Sequence, residues 1–374
     1  MSNIFELLHL SPEHKQDGDY GIEIEMEGAG LGAKPRSYWR VDVDHSLRNG
    51  GVEYILKKPI VLNAVSKAVG VLNDTLKESG AAVKFSFRTS VHVHLNVQKL
   101  EEPTLLNIIY VYSLLENVMI NYCGDERKGN RFCLRSEDSE GVIDLSERLF
   151  KNGIADIGAI PRDMIRYSSL NLEALMKYGS IEFRGLAGTM DAKRITDWCK
   201  AIDAIKQYAL KHESPVSIFN RFRELHTIPF VKEVLGDVFK EFEYKGMDKD
   251  IIRNFSLSLD YPAAYAIYEK KQKVKKEKAE KEPEEAPEIE MLMIKPRPAI
   301  NAADIRWENG VDGHEHVVAG LNPNRAVLDE IMMEHVRAMP NRVNPAPRVR
   351  VDPLAIPPRP RVVGIPDVEE EPLE

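Results

Sequence analysis

Three carboxylates recur at every second residue in Gly21-Ile22-Glu23-Ile24-Glu25-Met26-Glu27-Gly28. On a β-strand this alternation sends Glu23, Glu25 and Glu27 to one face and Ile22, Ile24 and Met26 to the other. Same-face neighbours sit only about 7 Å apart, so such carboxylates repel one another unless water reaches them or cations lie between them. A second polar series runs through VKFSFRTSVHVHLNVQ, residues 83–98. Its even positions include Arg88, Ser90, His92, His94 and Asn96; its odd positions Val83, Phe85, Phe87, Val91, Val93, Leu95 and Val97 form an apolar face. In GSIEFRG, residues 179–185, Glu182 and Arg184 share a polar face opposite Ile181 and Phe183. WRVDVDHSLRNGGVEY, residues 39–54, offers Asp42, Asp44, Ser46 and Glu53 around an Asn-Gly-Gly turn. Arg166 precedes the short run Tyr167-Ser168-Ser169-Leu170-Asn171-Leu172.

Each piece has a structural explanation of its own: an exposed histidine pair, a surface salt bridge worth little, a plain hairpin, an edge strand. Together they place Glu-x-Glu, His-x-His, Glu-x-Arg and a glycine-flanked glutamate on the polar faces of strands in one domain. Magnesium is a hard ion that takes carboxylate oxygens and often stays attached to substrate phosphates. An enzyme that handles a triphosphate needs such carboxylates, and an arginine to neutralise phosphoryl charge as it develops. A metal-dependent phosphoesterase or nuclease would use the same residue types. A catalytically inactive binding or scaffold protein is the third alternative, suggested by the character of the C-terminal third.

Strands are expected at 20–27, 38–44, 51–57, 82–98 and 180–185, and helices near 61–79, 103–122, 191–212, 217–225 and 230–243. Asp191 is placed to cap its helix. Strands and helices do not alternate in a βαβ rhythm, so the fold class is α+β, with an antiparallel sheet packed on one face only. Beyond Tyr268 the composition changes. Between Glu269 and Glu290 there are seven lysines and eight glutamates, and 14 of the 22 prolines lie between Pro283 and Pro372. The expected organisation is a catalytic domain over 1–268, a charged Lys/Glu- and Pro-rich linker over 269–299, which begins as a solvated helix extension, and a Pro-rich, mostly disordered tail over 300–374. A short helix near 324–339 in that tail suits engagement of a protein partner.

The chain has 374 residues and a formal net charge of −8. That charge disfavours nucleic acid binding through bulk electrostatics. Cys123, Cys133 and Cys199 show no paired spacing, which fits a reducing cytoplasm. Neither a signal peptide nor a membrane-spanning stretch is expected.

The segments GIEIEMEG, DHSLRNGGVEY, FSFRTSVHVHLNV, GDERKGNRFCLR, RYSSLNL and GSIEFRGLAGT, in that order, resemble the amidoligases of bacteria and their phages. These belong to the carboxylate–amine ligases related to glutamine synthetase and glutamate–cysteine ligase. The resemblance covers roughly residues 20–200. It implies a glutamine-synthetase-like curved antiparallel sheet whose polar face holds ATP and Mg2+, with helices on the apolar face. It implies metal ligation by Glu23, Glu25 and Glu182, and contact with the nucleotide phosphates or metal by His94 first and then His92. Arg184 is implied as the phosphoryl-stabilising cation, Arg166 and Arg88 as further phosphate contacts, and Glu53 as a metal or ammonium-side carboxylate. Glu27 falls outside the motif and is expected at the rim. The implied reaction joins a small-molecule or peptide carboxylate to an amine through an acyl phosphate. Lys57-Lys58-Pro59 departs from the Ser-Pro more usual there.

Overall fold

The computed structural model describes residues 2–35, 37–48, 50–159 and 166–281. The proline-rich tail, the helix expected near 324–339 and most of the linker lie outside the described residues.

The alternating glutamate segment forms the long strand β1, Tyr20–Ala29, with Ile22, Ile24 and Met26 fully buried on one face. The other strands are β2 Trp39–Val43, β3 Val52–Leu56, β4 Ala82–Lys84, β5 Ser90–Asn96, β6 Leu170–Asn171 and β7 Ser180–Ala187. They make one open α+β sheet in the order β2-β3-β1-β5-β7-β6, with β4 paired to the far end of β1. Every ladder in it is antiparallel.

The helices are α1 Ile4–Leu7, α2 Val65–Glu78, α3 Glu102–Cys123, α4 Glu140–Asn152, α5 Glu173–Tyr178, α6 Ala192–Ala209, α7 Pro215–Leu225, α8 Thr227–Leu235, α9 Phe239–Phe242, α10 Met247–Leu257 and α11 Tyr261–Lys281. The apolar face of the sheet meets α3, and α6 packs on β5, α2 and α3. Sequence sets these boundaries locally. Asp191 caps α6 by accepting from the Lys193 and Arg194 amides at 2.9 and 3.2 Å. Ser214 and Ser217 form a capping box at the start of α7, with Pro215 at its first position. Gly179, at φ +63°, ends α5 in a left-handed conformation that favours glycine.

The sequence predicts no membrane-spanning stretch, but α3 is long and apolar enough to cross a membrane by length and composition alone. It is instead the central core helix, buried on nearly every side from Leu105 to Cys123.

Three local expectations are corrected. The strand expected over 82–98 breaks at 85–89, where Ser86 and Thr89 hydroxyls bond the intervening amides and close a tight turn. Phe85 and Phe87 are therefore exposed rather than part of the apolar face. The helix expected over 230–243 is split at Gly236, φ +51°. Helices α1, α4, α5 and α10 have no counterpart in the sequence-based expectation. Beyond Tyr268, α11 continues as a helix through Lys281 with exposed side chains as far as Lys278, as a solvated extension should.

Candidate functional site

The register of the sheet assembles the polar residues into one patch. Glu25 stands opposite Glu53 on β3, and Glu23 opposite His92 on β5. His94 stands opposite Glu182 on β7, which in turn faces Asn171 on β6. Five neighbouring strands thus each contribute to one charged surface.

His92 sits at its centre, with 3 % of its side chain exposed. Its Nδ1 lies 3.4 Å from Glu23 Oε2 and 3.2 Å from Glu182 Oε1. Its Nε2 lies 2.7 Å from Ser90 Oγ and 3.8 Å from Glu25 Oε1. Ser90 fixes Glu25 as well, donating its amide at 2.8 Å and its hydroxyl at 2.6 Å to Oε2. His94 Nε2 lies 3.4 Å from Glu23 Oε1, and its Nδ1 is 3.3 Å from Ser180 Oγ. Glu182 accepts from Asn171 Nδ2 at 2.6 Å and pairs with Arg184 Nη1 at 2.5 Å. Arg184 Nε donates to the Phe132 carbonyl at 3.3 Å.

Burial and charge sort these groups. Burial opposes ionisation of Glu23, but the imidazoles of His94 and His92 hold its carboxyl well below the usual range. Burial likewise disfavours the charge on His94, yet Glu23 and Glu182 push its pKa up to about 9. The Glu182 carboxyl is lowered against the effect of burial by Arg184, His92 and His94. Glu53 goes the other way, pushed up to about 9 by burial and by the charges of Glu23 and Glu25. The face therefore combines compensated carboxylates with one carboxyl that keeps its proton for want of a cation.

Two donor sets meet at His92. Glu23, His92 and Glu182 each bring one donor atom within 4.8 Å of the others, and so do Glu25, Glu53 and His92. Sets dominated by carboxylate oxygen, with a single imidazole, suit a hard divalent cation such as Mg2+ or Mn2+. Such a cation would supply the positive charge that Glu53 lacks. The patch floors a cavity of about 1150 Å³, which Asp44, Arg88 and Arg166 also line.

The residues singled out from sequence fall at different depths. Glu23, Glu25, Glu53, His92, His94, Glu182 and Arg184 come together on the floor. Arg88 stands on the wall, where its Nη1 donates to the Ser46 carbonyl at 3.0 Å while its buried Nε has no partner among the described residues. Arg166 is exposed at the mouth, over the Tyr167 ring at 5.8 Å. Glu27, expected at the rim, is instead 7 % exposed, and its Oε1 accepts from the Arg48 amide at 2.9 Å, tying down the loop after β2.

Other contributors carried no clear sequence signal. Ser90 and Asn171 lie in segments noted above, but only the pairing of strands gives them their partners. Arg127 is wholly buried in a short 3-10 turn. The register between β5 and β7 shifts where Val91 faces Leu186 and Val93 faces Phe183, so β7 carries a bulge at Arg184–Gly185. Arg127 grips that bulge, its Nη2 donating to the Arg184 carbonyl at 2.8 Å and its Nε to the Gly185 carbonyl at 2.9 Å. A positively charged side chain from a remote loop thus sets the backbone from which Arg184 projects.

Residues 38–206 match the model of a protein family described as "Putative amidoligase enzyme". The matched span contains Glu53, Arg88, His92, His94, Arg166, Glu182 and Arg184, and begins after β1. No curated protein matches the chain.

Proposed function

We propose that the chain, whose residues 38–206 match the amidoligase family model, is an ATP- and Mg2+-dependent carboxylate–amine ligase. The observation that carries this reading is the pair of donor sets meeting at His92, beside the Glu182–Arg184 ion pair, on the floor of a cavity large enough for two substrates.

Glu23, Glu25 and Glu182 would hold magnesium, whose chemical contribution is to screen the charge between a carboxylate and the polyphosphate it must approach. In the first step an oxygen of the carboxylate substrate attacks the γ-phosphorus of ATP; ADP leaves and an acyl phosphate remains. Arg184 is aimed into the cavity by its ion pair with Glu182 and offers its guanidinium to the charge on the transferring group. His94, lying beside Glu23, gives a further donor contact to the nucleotide phosphates, and Arg88 and Arg166 supply contacts toward the mouth. In the second step an amine attacks the acyl carbon and phosphate leaves. The ammonium proton must go to a base, and we assign that role to Glu53. A bound cation would displace the proton of Glu53 and leave its carboxylate free to accept one.

A metal-dependent phosphoesterase is the second reading, favoured by the adjacency of two donor sets, which also suits activation of water between two cations. We place the chain in a reducing compartment, in keeping with three buried, unpaired cysteines.

The deciding experiment is the thermal shift produced by MgCl2 and ATP, singly and together, on the intact chain and on Glu25→Ala. A ligand that binds only the folded state raises its midpoint. The ligase reading expects a shift that needs both metal and nucleotide and is lost in the variant. No shift at saturating concentrations would sink it; phosphate release from simple phosphodiesters without ATP would install the second reading.

A further inference from the structure

One wall of the cavity differs sharply from its acidic floor. Arg48 lies over the Phe87 ring at 5.7 Å, and Arg88 lies over Phe87 at 5.5 Å and over Phe132 at 5.7 Å. Arg131 covers Phe132 at 4.9 Å. Phe132 meets Tyr167 edge to face at 6.4 Å, and Arg166 lies over Tyr167. Cation and ring alternate along a continuous row. Arg88, Phe132, Arg166 and Tyr167 line the cavity, while Arg48, Phe87 and Arg131 carry the row outward beyond it.

Among the described residues none of these four arginines has a carboxylate within ion-pairing distance, although acids crowd the floor close by. Phe87 and Tyr167 keep 49 % and 37 % of their surface exposed. Stacking on a ring holds a guanidinium flat and, apart from the Arg88 Nη1 already donated to the Ser46 carbonyl, leaves its donor edge free, which is the geometry that grips a carboxylate in two-pronged fashion. Several such groups spaced along a wall exceed what one free amino acid requires. Their continuation outside the cavity calls for a ligand that also continues outside it. The acidic floor repels an arriving anion, so an acidic ligand must be held from the wall.

We propose that this row is a subsite for an acidic peptide segment, drawn along the wall so that one of its carboxylates reaches the metal-binding floor. The proposal rests on the ligase reading and names its carboxylate substrate as part of a peptide rather than a free acid. Single-stranded nucleic acid also uses arginine–aromatic rows, but its phosphates would bring the floor no carboxylate to activate.

The test measures fluorescence anisotropy of a fluorescein-labelled oligoglutamate on the full chain at low salt, with an oligothymidylate as competitor. The variant is Arg48→Ala/Arg131→Ala, whose two side chains are exposed and lie outside the cavity. The expected result is binding of oligoglutamate that weakens roughly tenfold in the variant, two charge-assisted contacts being lost, while the thermal shift by MgCl2 and ATP stays at the wild-type value. Equal binding by variant and wild type would overturn the proposal, since the lysine-rich end of α11 would then account for it. Preferential binding of oligothymidylate, lost in the variant, would overturn it too, in favour of a nucleic-acid site. Peptide binding with no shift by MgCl2 and ATP would remove the ligase reading and leave the peptide site standing.

Discussion

Glu53 is the carboxyl with most to gain from being replaced. It stands half-buried opposite Glu25, and burial together with the charges of Glu23 and Glu25 pushes its pKa up to about 9. In the unfolded chain a glutamate ionises near 4.3. Above that pH the unfolded state gives up its proton while the folded state keeps one, so folding takes up a proton and stability falls as pH rises, until the folded group ionises near 9. At pH 7 the gap of roughly 2.7 pH units corresponds to at most about 4 kcal/mol of lost stability, which solvent screening at this half-buried group brings nearer about 3. Glutamine keeps the shape and cannot ionise. Glu53→Gln should therefore melt higher than wild type in EDTA at pH 7, by roughly 5–10 °C for about 3 kcal/mol in a domain of this size. At pH 5 the two should nearly coincide. The assay is differential scanning fluorimetry across pH 5 to 8.5, without metal. A variant that is less stable at pH 8, or an offset that does not change with pH, would refute the claim that crowded carboxylates strain the metal-free site.

Three further outcomes follow from the same structure. Magnesium binding at Glu23 and Glu182 removes the charges that hold the proton on His94, and binding near Glu53 expels its proton, so binding should release protons and tighten as pH rises toward about 9; calorimetry in buffers of different ionisation enthalpy checks this, and identical heats would contradict it. Glu116 lies buried in α3, accepting from the Ser136 amide and Ser169 hydroxyl, and burial raises its pKa. Its contribution is therefore greatest in acid and lost as pH rises through the folded value, so the melting-point advantage of wild type over Glu116→Gln should be larger at pH 5 than at pH 8. Arg127→Met leaves two bulge carbonyls without donors and should cost about 2–4 kcal/mol in urea unfolding. Arg127→Lys should recover part of that loss, and both variants should weaken ATP binding because Arg184 projects from the bulge.

What the sequence revealed was whatever its own period encodes. Glu23, Glu25, Glu182 and Arg184 were legible because strict alternation with Ile22, Ile24, Ile181 and Phe183 names both the strand and the face. The antiparallel α+β class followed from the same alternation and the lack of a βαβ rhythm. The centrality of His92 was not legible, because both histidines obey one alternation and only the pairing of β5 with β1 and β7 brings Glu23, Glu25 and Glu182 around one ring. The break at 85–89 was hidden for a related reason: Phe85 and Phe87 continue the apolar series, while the hydroxyls of Ser86 and Thr89 decide the backbone. Arg127 lies in the segment GDERKGNRFCLR, but its role was hidden, since its partners are two carbonyls nearly sixty residues away.

The buried helix α3 has a consequence for how the chain comes into being. It emerges from the ribosome as 22 residues apolar enough for a lipid bilayer. Among its later partners, β7 and α6 follow within about 90 residues, but α10 is completed roughly 130 residues downstream. At a synthesis rate of about 5–20 residues per second, α3 is only partly covered for on the order of ten seconds. Nascent chains truncated before α10 should therefore be captured by chaperones or insertion machinery, and a fragment ending near residue 206 would carry every proposed catalytic group yet expose this helix.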